Sequence, residues 1–346
     1  MELRAYDASR SPMGIVESYE YLRWTRRYSQ CGDFEAKAIA SPANAALLRV
    51  GHILWKTDDE EAAFVEHVER AAEGQEHIYA RGRFATSALG RRIVWGDEGL
   101  DGDASEIAGQ LIARHMLAPA DPDRKIEGFA YGSPPLGYAT EVQVSYGNLL
   151  AVVEGLCAEA GAGIKTAWDK AARSFTVSLY RGAESQAAFS REYENIVAQR
   201  YVEGELDHVS AALVGGDGEG ARRFLVAVGG GSGIGRREAF VDGKGVSREG
   251  AKGSYAAALA SLGLQHLAER AKARAFDAEI NPHGNLEYRR DYDLGQVVRV
   301  SAPEWGVGME ARIAEVEETY DRDGRSLRIT FGRGPLTLGQ KLREGG

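Results

Sequence analysis

Residues Leu286–Gly334 read LEYRRDYDLGQVVRVSAPEWGVGMEARIAEVEETYDRDGRSLRITFGRG, three strand-like runs separated by turn residues. In Ser326–Phe331 the apolar Leu327, Ile329 and Phe331 alternate with Ser326, Arg328 and Thr330. That period of two marks a half-buried strand, and Asp323-Gly324 supplies tight-turn chemistry ahead of it. The preceding run places Met309, Ala311 and Ile313 on one face, then Val316, Glu318 and Tyr320 in the same phase after one extra residue. The slip predicts a β-bulge near Ala314-Glu315, the kind of bend that closes a small barrel. No reactive constellation is visible in this block. It reads as a module that docks.

Working outward, the first hundred residues are also mainly β. Tyr19–Ala40 holds a strand pair turning at Cys31-Gly32-Asp33, and Gly51–Thr57, Ala63–Arg70, Glu76–Gly82 and Arg91–Trp95 are further strands. Strands at this spacing suggest a small barrel or a sandwich. A helix starts at Asp103, with Asp103 or Ser105 as its cap, and Pro119–Pro135 reads as a long loop. A second helix covers Gly147–Ala160, followed by strands at Ile164–Trp168 and Ser174–Tyr180. Strands near Ile196–Glu203, His208–Val214, Arg223–Val228 and Arg237–Val241 come next, and a long helix runs from Lys252 to about Ala273. The predicted class is α+β, mainly β. Small β-barrel-like modules occupy residues 1–100 and 275–346, with an α+β unit at 101–185 and a β-rich unit carrying the long helix at 186–274.

A chain of 346 residues has room for roughly two to four compact units. With 44% hydrophobic and 27% charged residues, its composition is that of an ordinary globular protein. No apolar run is long enough to cross a bilayer, and MELRAYDASRSPMG lacks the apolar core of a secretory signal. The net charge of −9 argues against a nucleic-acid-binding surface. An acidic surface does suit a wall that DNA slides past. Cys31 and Cys157 read as free thiols of a reducing cytoplasm.

The familiar chemical signatures are absent. Gly229–Gly235 fits neither a dinucleotide nor a nucleoside-triphosphate loop and reads as a hairpin connection. The seven histidines form no metal-binding spacing, and no serine occupies a nucleophile elbow. Asp58-Asp59 and Glu317-Glu318 read as solvated pairs on turns or outer faces. The expectation is therefore no catalytic residue, no cofactor and no metal. Trp24, Trp55, Trp95, Trp168 and Trp305 are spread as core or interface anchors would be, with a sugar platform as the alternative reading.

Three blocks carry a family resemblance. The last combines Gly284-Asn285-Leu286-x-Tyr288, Asp291-Tyr292-x-Leu294-Gly295, Arg312-Ile313 and Phe331-Gly332. The middle has Phe189-Ser190, Asn195, and Arg237-Glu238-x-x-Val241-Asp242 before the long helix. The earliest has Gly82-Arg83, Leu89, Arg91-Arg92-Ile93 and Gly147-Asn148-Leu149-Leu150. In this order and spacing the chain resembles siphophage tail-tip proteins related to the baseplate hub of contractile phages.

The resemblance implies the phage tail hub fold in a homotrimer, with two barrel domains per chain ringing a channel. It implies a structural, non-enzymatic virion component assembled in the bacterial cytoplasm and active in host attachment and DNA ejection. Its partners would be a distal tail or tail tube protein, a tape-measure protein, and fibre, spike or lysin components. Neither stable membrane insertion nor sequence-specific nucleic-acid binding is expected. The chain stops at Gly346, short of the extension many relatives carry, so receptor binding and wall digestion would fall to another polypeptide. Trp55, Trp305, Arg312 and Phe331 are the candidate interface residues. The competing readings are a tail-associated peptidase or glycosidase and a host-glycan-binding tail protein.

Overall fold

The computed structural model describes residues 1–73, 75–246, 248 and 254–333. Gly334 and Lys252 lie outside the described residues. The chain is mainly β, 47% strand against 21% helix.

The N-terminal part contains β1 (Leu3–Tyr6), β2 (Pro12–Ile15), β3 (Tyr19–Arg27), β4 (Asp33–Ile39), α1 (Pro42–Leu47), β5 (Ile53–Lys56), β6 (Ala62–Glu73) and β7 (Gln75–Phe84). Next come β8 (Asp97–Asp103), α2 (Ala104–Ile112), β9 (Phe129–Tyr131), β10 (Ala139–Ser145), α3 (Leu149–Ala160), β11 (Gly163–Asp169) and β12 (Ser174–Tyr180). Then follow β13 (Glu184–Phe189), β14 (Ile196–Gly204), β15 (Ala211–Gly215), β16 (Leu225–Gly229), β17 (Glu238–Asp242) and α4 (Tyr255–Glu269). The last elements are β18 (Ala273–Ile280), β19 (Val297–Ala302), β20 (Val307–Asp321) and β21 (Gly324–Arg333).

Both ends of the chain enter one sheet of 13 strands. Its main path runs β14-β18-β21-β20-β3-β4-β7-β6-β5-β1-β2, with β19 and then β13 branching from β20. The splice is the antiparallel pair β3–β20, in register from Arg27↔Glu315 to Leu22↔Tyr320. The expected bulge makes this possible. Against β21 the register slips between Ile313 and Glu315, and Tyr28 N–H donates to the Ala314 carbonyl at 2.9 Å. On its other edge β20 pairs with β19 as far as Arg312, and with β3 from Glu315 onward. A bulge bends and twists its strand, so one long strand changes neighbours at that point. Among the described residues no strand ring closes, since β14 pairs only with β18 and β13 only with β19.

Local signals set many boundaries. Asn148 caps α3 by accepting from Ala151 N–H at 3.2 Å, and Gly161 ends it at φ +61°, a conformation open to glycine. Asp103, rather than Ser105, caps α2, and its carboxylate also accepts from the backbone of Leu136 and Tyr138. Ser254 caps α4, which therefore begins at Tyr255 and has ended before Ala273, where β18 starts.

Several expectations need correction. Arg91–Trp95 is not a strand; a 3-10 turn over Ala85–Arg91 buries Ala85–Leu89, and only Ile93 makes a bridge, to Asn148. The Pro119–Pro135 segment holds a short strand, β9, pairing in parallel with β12. Gly229–Gly235 does not join a hairpin. Strands β16 and β17 lie on opposite sides of β15, antiparallel and parallel to it, so the glycine-rich segment crosses over the central strand.

Candidate functional site

The β3–β20 splice is lined by charge. Leu22, Trp24 and Arg26 share one face of β3, and all three are buried. Lys56 ends β5 and is fully buried, as are Asp59 and Glu61 in the following turn, and Glu318 on β20. The loop between β18 and β19 adds Tyr288, Arg289 and Asp293. Three cations (Arg26, Lys56, Arg289) thus face three interior carboxyl groups (Asp59, Glu61, Glu318) drawn from both ends of the chain.

The geometry is dense. Arg26 donates to Tyr288 Oη at 2.8 Å, Asp293 at 3.1 Å and Glu60 at 3.1 Å. Asp59 accepts from Trp24 Nε1 at 2.9 Å and from Arg289 at 2.7 Å. Lys56 Nζ stands 2.9 Å from Glu318 Oε1. The other oxygen of Glu318 accepts from Tyr320 Oη at 2.7 Å and lies 2.9 Å from Arg325. Glu61 reaches outside the sheet and accepts from Thr166 N–H of β11 at 3.0 Å. The network therefore meets the N-terminal strands, the C-terminal strands and the middle unit.

Environment separates the two turn carboxylates. Burial raises the Asp59 carboxyl, but Arg26, Arg289 and Lys56 outweigh it and hold the group at about 2. Burial also pushes Glu61 up, here to about 7 against the pull of Arg26, with Asp59 adding repulsion. Buried charges in such a set are costly unless each keeps its partners. What the arrangement does chemically is hold one alignment of two distant chain segments. The solvated reading of Asp59 and Glu318 is thus overturned: apolar neighbours on the same strand phase carry Glu318 inward.

The candidate interface residues separate. Phe331 is 0% exposed and packs on Phe189 at 4.9 Å, within this chain's own core. Trp55 is also buried, in a cluster with Tyr6, Trp168 and Phe175, and donates to the Asp59 carbonyl at 2.8 Å. Phe331 faces inward on the apolar phase of β21 with Leu327 and Ile329, whereas every residue of β5 is buried, Trp55 among them. Arg312 donates to the Gly295 carbonyl at 2.5 Å and lies over the Tyr28 ring at 4.8 Å. Trp305 is 49% exposed on the turn between β19 and β20.

Among the described residues no group of three His, Cys, Asp or Glu is placed to hold a metal ion, and no helix is long and apolar enough to cross a membrane. Cys31 and Cys157 are free, and burial pushes both thiols well above their ordinary range. The buried network itself escaped the sequence reading. Its signal was present in Arg26, in phase with Leu22 and Trp24, and in Lys56 closing the run Ile53–Lys56.

The profile of the Siphovirus ReqiPepy6 Gp37-like protein family matches residues 2–333. Among solved structures, the chain is similar to the 43 kDa tail protein of prophage MuSo2 from Shewanella oneidensis. The identity is 14% and the TM-score 0.61, covering 96% of this chain and 98% of that one. It is also similar to prophage tail protein gp18 from Listeria monocytogenes EGD-e, at 11% identity and TM-score 0.58, covering 99% of each chain. A tail protein from Neisseria meningitidis MC58 shows 13% identity and TM-score 0.55, with 95% of each chain covered. Likeness at this identity is likeness of fold. No curated protein matches the sequence.

Proposed function

The chain belongs to the Siphovirus ReqiPepy6 Gp37-like protein family, and from that premise we propose that it is a structural component of a phage tail. The observation that carries this reading is a coincidence of extent. Family membership spans residues 2–333, and the fold matches tail proteins from end to end.

In finer terms the protein is a non-enzymatic, trimeric hub of a tail tip or baseplate. Residues 1–100 and 275–346 each supply a barrel-like module, so three copies set six modules around a channel. Residues 101–185 and 186–274 enlarge the cup and meet fibre, spike or lysin components. The ring faces a distal tail or tail tube protein, and the tape-measure protein ends in its lumen. Assembly takes place in the bacterial cytoplasm, and the product stays in the virion.

Support comes from the sheet. The β3–β20 splice pairs a strand near each end of the chain edge to edge, as two adjoining terminal modules would require. The ends of the strand order, β2 and β14, each have a single partner, and unpaired edges invite pairing with another chain. Pairing of β14 in one copy with β2 in the next would close a ring. Of the four candidate interface residues, Trp305 is the most exposed, and it and Arg312 would make contact between copies directly, with Trp55 and Phe331 shaping the surface from beneath.

Sedimentation of the full chain, together with labelling of assembled particles, tests this reading. A trimeric mass and a signal at the tail tip are expected. A chain that stays monomeric at every concentration and joins no particle overturns it. Channel-facing residues should be net negative, and a basic lumen in an assembled ring would refute that part. Clearing of cell-wall material, abolished by one point substitution, would replace the structural reading with a hydrolase.

A further inference from the structure

The β14–β18 margin of the sheet and the β19–β20 turn enclose an open groove of about 630 Å³. Its lining combines the indole of Trp305 with Gln199, Arg200, Tyr201, Glu203 and Arg274. In the β14–β18 pairing, Tyr201 stands opposite Phe276 and Glu203 opposite Arg274. The Phe276 ring, 6.4 Å from Trp305, belongs to the C-terminal core, so the groove lies against that core. Beyond Trp305 the wall is Gly306, Val307 and Gly308, and both glycines have open space where a Cβ would stand.

The polar groups are held in place by one another. Arg274 Nε donates to Tyr201 Oη at 3.2 Å, and Tyr201 donates to Glu203 Oε2 at 3.0 Å. Gln199 Nε2 donates to Glu304 Oε1 at 2.6 Å, while Gln199 Oε1 is buried without a hydrogen-bond partner. An aromatic face ringed by planar amide, carboxylate and guanidinium groups matches one ligand chemistry well. A pyranose ring carries C–H groups on its face, which stack on an indole. Its rim carries hydroxyls, which both donate and accept hydrogen bonds. Charge narrows the class further. Arg200 and Arg274 are balanced by Glu203 and Glu304, so the groove selects neither anion nor cation, and the −9 net charge disfavours a nucleotide's phosphates.

We propose that this groove binds a neutral saccharide, with one sugar ring on Trp305 and its hydroxyls held by Gln199, Glu203 and Arg274. The binding activity goes beyond the structural role, and it takes Trp305 as a ligand platform in place of a contact between copies. To test it, the full chain is titrated with a panel of neutral gluco-, galacto-, manno- and N-acetylhexosaminyl trisaccharides, read by calorimetry and tryptophan fluorescence. Saturable binding of at least one member is expected. Trp305→Ala should weaken it on the order of tenfold or more, and Glu203→Gln should weaken it as well. Trp95→Ala, at an exposed tryptophan outside the groove, should bind as the native chain does. Both tryptophans are surface residues, and unchanged thermal unfolding confirms that the variants are folded. Absence of binding across the panel overturns the proposal, as does native affinity in Trp305→Ala. Loss of oligomeric mass in Trp305→Ala without saccharide binding also overturns it, by making the groove a contact between copies.

Discussion

The β3–β20 splice and the small β16-β15-β17 sheet hold their parts of the molecule in opposite ways. The splice buries Trp24, Arg26, Lys56, Asp59 and Glu318 around a long continuous register. The small sheet packs α4 on one face over a core that, among the described residues, buries Val214, Val246, Ala258 and Leu259 and packs Phe224, Val226, Val241, Tyr255 and Leu262 against them. Its other face leaves Leu213, Leu225 and Phe240 exposed. It is tied to the middle unit by polar contacts such as Gln265 to Glu159 at 3.0 Å. A register shift at the splice would strand buried charges, each costing several kcal/mol. A comparable shift in the small sheet would exchange apolar side chains such as Val214 and Leu213 between its faces and strand no buried charge. The difference teaches where rigidity is concentrated: the splice tolerates one alignment, and the small sheet is the place for local opening.

Substitutions can break or sharpen that contrast. The largest effect is expected from Arg26→Met, which leaves Asp59 and Glu61 short of a cation inside the protein. Denaturant unfolding should report a loss of about 3–5 kcal/mol; a loss below 1 kcal/mol would mean the network contributes little to the splice. Leu259→Ala should cost about 2–4 kcal/mol, but locally. Hydrogen exchange should speed up in β15–β17 while β3 and β20 keep their protection. Uniform acceleration would show that the two regions unfold together.

A smaller effect separates pairing from burial. The separate costs of Lys56→Met and Glu318→Leu should sum to more than the cost of the double substitution, with a coupling of about 1–3 kcal/mol. Additive costs would show that Arg289 and Arg325 suffice for Glu318. The smallest concerns pH. Folded Glu61 titrates near 7 rather than its ordinary 4.5, so the folded state keeps a proton that the unfolded chain releases across that window. Stability therefore falls as pH rises from 4.5 to 7. Glu61→Gln should flatten that slope. Asp59 acts with the opposite sign, contributing above its ordinary 3.8 and losing its contribution as pH falls toward 2. That acid limb should survive in Glu61→Gln, and its disappearance would show that the two carboxyls titrate as one unit.

Legibility in the sequence followed the range of the interaction concerned. The strands at Ser174–Tyr180 and Ser326–Phe331 and the end of α3 at Ala160 were readable because each depends on spacing over a few residues. Strand β8, Asp97–Asp103, was not: only Leu100 is buried in an acidic, glycine-containing run, and pairing with β10 makes it a strand. The crossover from β16 to β17 was hidden for a related reason, since a glycine-rich segment does not say which strand will lie between its ends. Asp59 and Glu318 were misread because a carboxylate's solvent exposure depends on partners far away in sequence, here Arg289 and Lys56.

The alternation in Leu286–Gly334 and its one-residue slip at Ala314 were properties of the sequence alone, because backbone geometry and side-chain phase are local. What β20 does after that slip was decided by tertiary structure. Its second half leaves β19 and pairs with β3, nearly three hundred residues earlier. Only in that arrangement do Lys56 and Glu318 meet in the interior. Each is an ordinary surface charge by composition. Buried opposite the other, it becomes part of the bond between the two ends of the chain.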